Sequence, residues 1–188
     1  MNIPLSWLKD FVDVDLPLEE LARVMTMAGL EVDEIHLMGL PGPEDDRHGF
    51  KFTGLSWPED KFVVAEIREV NKHPDADKLV LCRLEDGTGE HTILTGAPNL
   101  YPYVGKGRLE QPIKVAYARE GAILYDGHKP GFELTKLKKT KIRGFETKSM
   151  VCSAKELGIS EEHEGIIILE PDAPTGVPLA QYMGDAVF

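Results

Sequence analysis

The stretch "HPDADKLVLCRLEDG", from His73 to Gly87, places a charged turn directly before an apolar run. Pro74 favours an extended backbone in the residue before it, and Asp75 and Asp77 favour local hydrogen bonds between side chain and backbone. The run then continues as a β-strand would, until the Asp-Gly pair that ends at Gly87 signals a tight turn. The stretch therefore predicts a turn that opens a strand in a β-rich module.

A catalytic or metal-binding cluster of His73, Asp75 and Asp77 is the alternative interpretation of this turn. Three side chains on one tight turn point in different directions, and no further ligand is spaced along the sequence to join them. The structural turn is therefore the favoured interpretation.

Four more segments around this stretch have the pattern of β-strands. They are rich in β-branched and apolar residues and are bounded by turn-forming residues. They are "FVVAEIREV" (62–70), "HTILTG" (91–96), "PIKVAYA" (112–118) and "FELTKLKKTKIRG" (132–144). The segment at 91–96 is expected to pair as a hairpin with the strand before Gly87. Short strands with turns at about ten-residue spacing are typical of a small barrel or sandwich.

The N-terminal flank of this module is predicted to contain two short helices and a strand. Ser6 stands where a helix cap would stand, Pro17 opens a second helix, and Gly29 ends it. The segment "LEVDEIHLM" (30–38) has the alternation of a strand. Residues 39–60 are rich in glycine and proline and have no period, so they are predicted to be a loop or linker.

The C-terminal flank is equally short. Ser153 and Glu156 have the spacing of a capping box, "GIIILE" (165–170) has the composition of a buried strand, and residues 178–183 are predicted to be helical. Neither flank alone carries enough apolar surface for a core. We therefore expect one discontinuous α/β domain of residues 1–38 plus 153–188, with a β domain of residues 61–152 inserted between its parts.

Composition excludes several classes of protein. No apolar run approaches the roughly 20 residues that span a bilayer, and the N-terminus lacks a secretory signal. Two cysteines without a CxxC motif and six scattered histidines indicate neither a disulfide framework nor a structural metal. A reduced cytoplasmic protein is the expectation. The chain ends at Phe188 as a new apolar run begins, which predicts that a longer protein continues beyond it.

The charge is uneven along the chain, although the total is −11. Residues 1–60 carry a net charge of −9, residues 61–153 of +4, and residues 154–188 of −6. This asymmetry indicates separate modules with separate partners. Ordinary variation in surface charge is the alternative.

The densest basic segment is "KLKKTKIRGFETKSMVCS", from Lys136 to Ser153. It has two interpretations, a solvated strand edge that lysines protect from aggregation and a surface that binds phosphates. Alternation places Lys136 and Lys138 on one side of a strand and Lys139 on the other, so a bulge or bend near Lys139 is expected. The candidate stacking aromatics are Tyr101, Tyr103, Tyr117 and Phe145, of which Tyr117 is expected in the core.

Taken together, these motifs carry a family resemblance. "HPDADKL", "TGAPN" and "KIRGFETKSMVCS", in this order and spacing, resemble the tRNA-binding OB-fold module of several tRNA-associated proteins. The flanking segments "IPLSWLKDFV", "MAGLEVDEI", "SAKELGIS" and "EGIIILEPDAPTGVPLAQYMG" resemble the N-terminal region of the bacterial phenylalanyl-tRNA synthetase β-subunit family. The resemblance covers nearly the whole chain except residues 39–60. Ser149 departs from the pattern, because the family has glycine there.

The resemblance implies an α+β fold, with a five-stranded OB-fold barrel inserted into the small discontinuous α/β domain. It implies tRNA as partner, and in the intact α2β2 enzyme also an α subunit, with ATP and magnesium as cofactors. No membrane or DNA partner is expected. This segment shows no nucleophile, base or ATP site, so it is expected to be non-catalytic and to hold no cofactor or metal of its own. The expected RNA-binding residues are Lys78, Lys136, Lys138, Lys139, Lys141, Arg143 and Lys148. A docking module for proteins, with a face that does not bind RNA, is the alternative function.

Overall fold

The computed structural model describes residues 1–43 and 49–188. Its helices are α1 (Leu5–Lys9), α2 (Leu18–Met27) and α3 (Leu179–Met183), with a 3₁₀ helix at Pro98–Tyr103. Its strands are β1 (Glu34–Gly39), β2 (Lys51–Ser56), β3 (Phe62–Lys72), β4 (Val80–Glu85), β5 (Glu90–Thr95), β6 (Arg108–Ala118), β7 (Ile123–Tyr125), β8 (Leu134–Lys136), β9 (Thr140–Ile142), β10 (Phe145–Thr147), β11 (Met150–Val151) and β12 (Asp185–Val187).

The described chain divides into two compact units. The first unit consists of residues 1–57 with 183–188, and the second consists of residues 58–182. The second unit is thus inserted between the two parts of the first. The predicted domain limits differ from these bounds, since they placed residues 153–182 with the flanks. The division into a discontinuous domain of residues 1–38 plus 153–188 and a β domain of residues 61–152 stays a prediction.

The first unit has a three-stranded sheet in the order β12-β1-β2. β1 pairs antiparallel with β12 and parallel with β2. Its core joins Leu21 and Ala22 of α2 with Ile35 and Leu37 of β1 and with Phe188. Pro17 and Gly29 bound α2 as predicted, and Gly29 has the positive φ of a helix stop.

Two predictions about the first unit are wrong in detail. Ser6 does not cap α1, because Pro4 holds the N-cap position and the Ser6 hydroxyl donates instead to Asp185 Oδ2 at 2.5 Å. Residues 51–56 of the predicted linker form β2, while the part of that linker at residues 44–48 lies outside the described residues. The alternation of apolar and polar residues does not predict β2, because Gly54 interrupts the pattern. A Cβ at Gly54 would lie 2.0 Å from the Leu37 carbonyl oxygen, so the close pairing of β1 and β2 needs glycine.

The second unit has a five-stranded sheet in the order β11-β6-β3-β4-β5, antiparallel throughout. Its edge strands β11 and β5 lie beside one another, so the sheet is nearly closed into a barrel. Fully buried side chains of β3, β4, β5 and β6 fill the interior, among them Ile67, Leu84, Ile93 and Val115. The predicted fold class, α+β with an inserted five-stranded OB-type barrel, is confirmed.

Residues 153–177 cover the barrel mostly without regular structure. "GIIILE" is not the predicted buried strand, since Ile168 is 47% exposed and makes only an isolated bridge to Val115. Parts of its backbone are nevertheless paired, because the Ile167 N–H donates to the Cys152 carbonyl at 2.9 Å and the Leu169 N–H donates to the Lys114 carbonyl at 2.8 Å. The capping box forms as predicted, but turns rather than a helix follow it.

Candidate nucleic-acid interface

The loop between β3 and β4 is the turn predicted from "HPDADKL". His73 is buried, and its Nδ1 accepts a hydrogen bond from the Asp75 backbone N–H at 3.1 Å. The backbone N–H of His73 donates to the Leu79 carbonyl at 3.2 Å and closes the loop. Asp77 pairs at the surface with Lys72 at 3.0 Å. The His73 side chain and the Asp75 backbone thus stabilise the predicted turn. Among the described residues, no group of three or more His, Cys, Asp or Glu side chains is arranged to hold a metal.

The 3₁₀ helix after β5 is hydrogen-bonded to the end of this loop. The Tyr101 hydroxyl lies 3.0 Å from the Lys78 carbonyl oxygen and 3.3 Å from that of Gly96, and it donates to this pair of acceptors. The phenol therefore joins the β3–β4 loop to the segment that follows β5. Lys78 keeps its own side chain exposed. Of the other candidate aromatics, Tyr103 packs on the core and Tyr117 is buried, as expected for Tyr117.

The connection from β6 to β11 carries most of the basic side chains. It contains two hairpins, because β8 pairs with β7 and β9 pairs with β10. The single strand predicted over residues 132–144 is therefore wrong: residues 137–139 separate two short strands with different partners. The β9–β10 turn has positive φ at Arg143 (47°) and Gly144 (86°), as a type I′ turn requires. Arg143 is the one non-glycine residue with positive φ in the described ranges, so Ser149 needs no glycine conformation.

The predicted RNA-binding side chains are all exposed, but the structure does not bring them all to one place. Lys138 and Lys148 line a common cavity. Lys141 and Arg143 lie on the neighbouring β9–β10 hairpin. Lys136 lies on β8, and its side chain is near Gly121 instead.

Part of this positive charge is compensated at the surface. Lys139 Nζ lies 2.8 Å from Glu146 Oε1, and this hydrogen bond raises the pKa of Lys139. Lys148 Nζ lies 3.6 Å from Glu120. Lys136, Lys138, Lys141 and Arg143 have no ion pair with another described residue.

The cavity beside Lys138 and Lys148 has a volume of about 510 Å³. Leu79 from the β3–β4 loop, Leu94 of β5, Ile142 of β9 and Ile166 of the covering segment contribute its apolar lining. The sequence did not predict it, because these residues come from four distant segments and only the barrel closure joins them. The position of "TGAPN" after β5, which places Gly96 and Ala97 in the same lining, was the one available signal.

Two polar networks beneath the surface fix the barrel geometry. Asp86 is 2% exposed, and its Oδ2 accepts a hydrogen bond from Arg119 Nε at 2.8 Å. Burial favours the neutral form, but hydrogen bonds from Thr88 and Arg119 hold the pKa of Asp86 well below its usual range. The network joins the β4–β5 turn to the end of β6. Sequence reasoning had given Asp86 only the role of a turn former.

The second network centres on Glu66 of β3. Its Oε2 accepts from Lys114 Nζ at 2.6 Å and from the Thr175 hydroxyl at 2.9 Å, while Arg68 binds Oε1. Although burial opposes ionisation, these hydrogen bonds lower the pKa of Glu66 to about 2. The network ties the segment around Thr175 to the central strands.

No helix in the described part of the chain is both long and apolar enough to cross a membrane.

Comparison with known proteins gives matches at two scales. Residues 62–111 match the family described as "Putative tRNA binding domain". The whole chain matches proteins named phenylalanine–tRNA ligase beta subunit, with 42% identity in Dehalococcoides mccartyi (strain ATCC BAA-2266) and 39% in Protochlamydia amoebophila. A solved structure of a MetRS-related protein from Pyrococcus horikoshii overlaps 63% of this chain and 88% of its own, with 19% identity and a TM-score of 0.42.

The extent of these matches defines what this chain corresponds to. Each of the two relatives is matched over 100% of this chain but over 20% of its own length. The chain thus spans one fifth of the curated relatives it matches. Over its whole length, the chain is therefore similar to about a fifth of the length of the proteins named phenylalanine–tRNA ligase beta subunit, and its residues 62–111 match the family described as a tRNA-binding domain.

Proposed function

We propose that this chain is the N-terminal, tRNA-contacting part of a cytoplasmic phenylalanine–tRNA ligase. The parent enzyme attaches phenylalanine to its tRNA with ATP and magnesium, and an α subunit supplies the aminoacylation site. This part contributes no reacting group. The observation that carries the proposal is the exposed basic segment 138–148, which borders a cavity in the unit that matches the tRNA-binding family.

The basic segment suits an RNA backbone better than the rest of the chain does. The chain as a whole carries a charge of −11, which repels RNA, so contact has to concentrate where cations gather. The β9–β10 hairpin projects Lys141 and Arg143 without competing ion pairs among described residues, and Lys138 precedes the same hairpin. Lys78 and Lys148 extend the surface toward the β3–β4 loop and β11, and Lys136 adds a contact from β8.

Charge reversal tests this assignment directly. Changing Lys138, Lys139, Lys141 and Arg143 to Glu should abolish binding of tRNA, while circular dichroism stays unchanged because these side chains are exposed. The control is reversal of Lys9, Lys106 and Arg108, which are exposed cations outside this surface. It should reduce affinity only by the general loss of charge. Retained tRNA affinity in the folded fourfold variant would refute the RNA surface.

The apolar lining of the cavity is the observation that favours the second candidate, a docking module for a protein segment. In that case the fourfold variant would leave partner binding intact, since Leu79, Leu94 and Ile166 would provide the contacts.

A further inference from the structure

The cavity combines an apolar wall with cations at its edge. Its volume of about 510 Å³ lies within the range of about 300–1,000 Å³ that is usual for sites of small organic groups. Leu79 of the β3–β4 loop, Leu94 of β5 and Ile166 of the covering segment line it, and Ile142 lines it from the β9–β10 hairpin. Leu94 and Ile166 are buried, whereas Ile142 is 41% exposed and therefore lies on the accessible side. A surface that only follows phosphates has no need of such a concave apolar wall.

The cavity lining carries as many cations as carboxylates, so the phosphates of an occupant have to lie on the side of the cations. Lys138 and Lys148 line it, together with His128 and His163. Two carboxylates, Glu156 and Glu164, also line it. Glu156 Oε2 is already occupied, because it accepts hydrogen bonds from the Ser153 backbone N–H at 2.6 Å and from the Ser153 hydroxyl at 2.9 Å. The Lys148–Glu120 contact of 3.6 Å is exposed, so it exchanges readily for a phosphate.

We propose that this cavity receives an unpaired nucleotide of the bound RNA, with its base against the apolar wall and its phosphates beside Lys138 and Lys148. The inference rests on the RNA-binding function proposed above and adds to it that the chain distinguishes unpaired from paired RNA. In a duplex the base faces are stacked inside, so they cannot enter a concave surface. An unpaired base can be turned outward, and proteins read RNA most often at such positions.

The lining also shows how the base is held. Thr95 and Thr140 supply hydroxyl groups along the cavity. The Thr95 hydroxyl accepts from the Ala97 N–H at 3.2 Å and can still donate to a base, and the Thr140 hydroxyl donates to the Lys138 carbonyl at 3.1 Å and can still accept from one. The lining has no Phe, Tyr or Trp ring among the described residues, so stacking is limited to the imidazoles of His128 and His163, and aliphatic contacts form the rest of the wall. Discrimination between the four bases is therefore weak, and discrimination between paired and unpaired RNA is strong.

The test compares two RNAs with the full 188-residue chain. One is a single-stranded 12-mer with 2-aminopurine at a central position, and the other is a blunt duplex that contains the same strand. Unaltered protein should bind the single strand at least about tenfold more tightly than the duplex, when both affinities are divided by the number of phosphates. The emission of 2-aminopurine in the single strand should change on binding. Equal affinity for both RNAs with unchanged emission would overturn the proposal while leaving RNA binding in place. Failure to bind either RNA or tRNA would overturn the RNA-binding function as well.

A matched pair of variants locates the site. Ile142→Asn removes an apolar contact from the cavity without changing charge, and it should weaken single-strand binding about fivefold or more while duplex binding stays within twofold. Ile123→Asn is the control, since Ile123 is 48% exposed in another short hairpin strand and does not line the cavity. Equal effects of the two variants on the single strand would overturn the assignment. If the cavity binds a protein segment instead, Ile142→Asn should leave the affinity for single-stranded RNA unchanged, and this result would overturn the proposal.

Discussion

Replacing Arg119 by methionine is expected to destabilise the barrel unit, because Asp86 would remain buried without its cation. Arg119 Nε donates to Asp86 Oδ2 at 2.8 Å, and its Nη2 donates to the Asp86 carbonyl at 3.0 Å. Removing one partner of a buried ion pair costs about 3–5 kcal/mol. Thr88 still donates to Asp86 Oδ1 from its N–H at 2.9 Å and from its hydroxyl at 2.6 Å, and His91 Nε2 lies 3.2 Å from the same oxygen. We therefore expect a loss of about 2–4 kcal/mol in the free energy of unfolding.

The pH dependence distinguishes lost charge compensation from lost packing. The folded-state pKa of Asp86 is depressed, so its ionisation adds stability that is complete above the unfolded pKa of about 3.9. This contribution is lost as pH falls from there through the folded pKa. Methionine at position 119 removes much of this depression of the Asp86 pKa, because the Arg119 hydrogen bonds are lost. The difference in stability between the two proteins should therefore be largest near pH 7 and should narrow below about pH 4.

Hydrogen exchange of core amides in β4 and β6 measures the stability of this unit alone. Arg83→Met is the matched control, since Arg83 is 54% exposed and pairs on the same sheet with Glu90 and Glu69. It should destabilise the unit much less than Arg119→Met does, because an exposed ion pair contributes little to stability. The double change Asp86→Asn with Arg119→Met should recover part of the loss, because no charge is then buried. A loss no larger than that of Arg83→Met, or one that does not vary with pH, would refute the reasoning.

Three further predictions follow from the two units and their chemistry. Gly54→Ala should cost the first unit about 2–4 kcal/mol, because it adds a clash with the Leu37 carbonyl to the strain of a φ of 103°. Gly29→Ala, at a φ of 93° in open space, should cost about 1–2 kcal/mol. Urea unfolding followed by tryptophan fluorescence measures both losses, since Trp7 and Trp57 both lie in the first unit, and equal losses would contradict the clash. The segment 58–182 should fold alone and should be more stable to urea than the segment 61–152. The shorter segment lacks Leu169, whose N–H donates to the Lys114 carbonyl. Equal stability of the two segments would contradict the covering role of residues 153–177. The chain should show no phenylalanine-dependent ATP–pyrophosphate exchange, and exchange by protein free of contaminating synthetase would contradict the non-catalytic role.

Much of the barrel was predictable because its strands carry local signals. β3, β4, β5 and β6 alternate or form apolar runs, and turn residues such as Asp86 and Gly87 bound them. The β4–β5 hairpin followed from that turn alone. The motif resemblance then identified the OB-type barrel, which periodicity had left open between a barrel and a sandwich.

The elements that escaped prediction depend on distant contacts. β2 contains Gly54, whose place in a strand makes sense only against the Leu37 backbone. The lysine-rich segment 132–144 resembled one strand, but pairing with β7 and β10 divides it. Residues 165–170 have strand composition, yet single backbone hydrogen bonds to Cys152 and Lys114 satisfy them instead.

The candidate surface, too, was predictable only in part. Sequence identified the exposed cations, since charge density is a local property of the chain. It did not identify the cavity beside Lys138 and Lys148, because Leu79, Leu94 and Ile166 meet only after the barrel closes. Nor did the sequence show that Lys136 lies apart from this cavity, since the break at residues 137–139 reverses what simple alternation indicates.

The salt dependence of tRNA binding tests the central claim most directly. Each phosphate that a cation neutralises releases counterions and contributes about 0.7–0.9 to the slope of log affinity against log salt concentration. With Lys138, Lys139, Lys141 and Arg143 engaged, a titration of the full chain with tRNA between 50 and 200 mM salt should give a slope of about −3. The fourfold Glu variant should show no saturable binding over the same range. A slope near zero in the unaltered chain, or an unchanged slope in the folded variant, would contradict the claim that this surface binds tRNA.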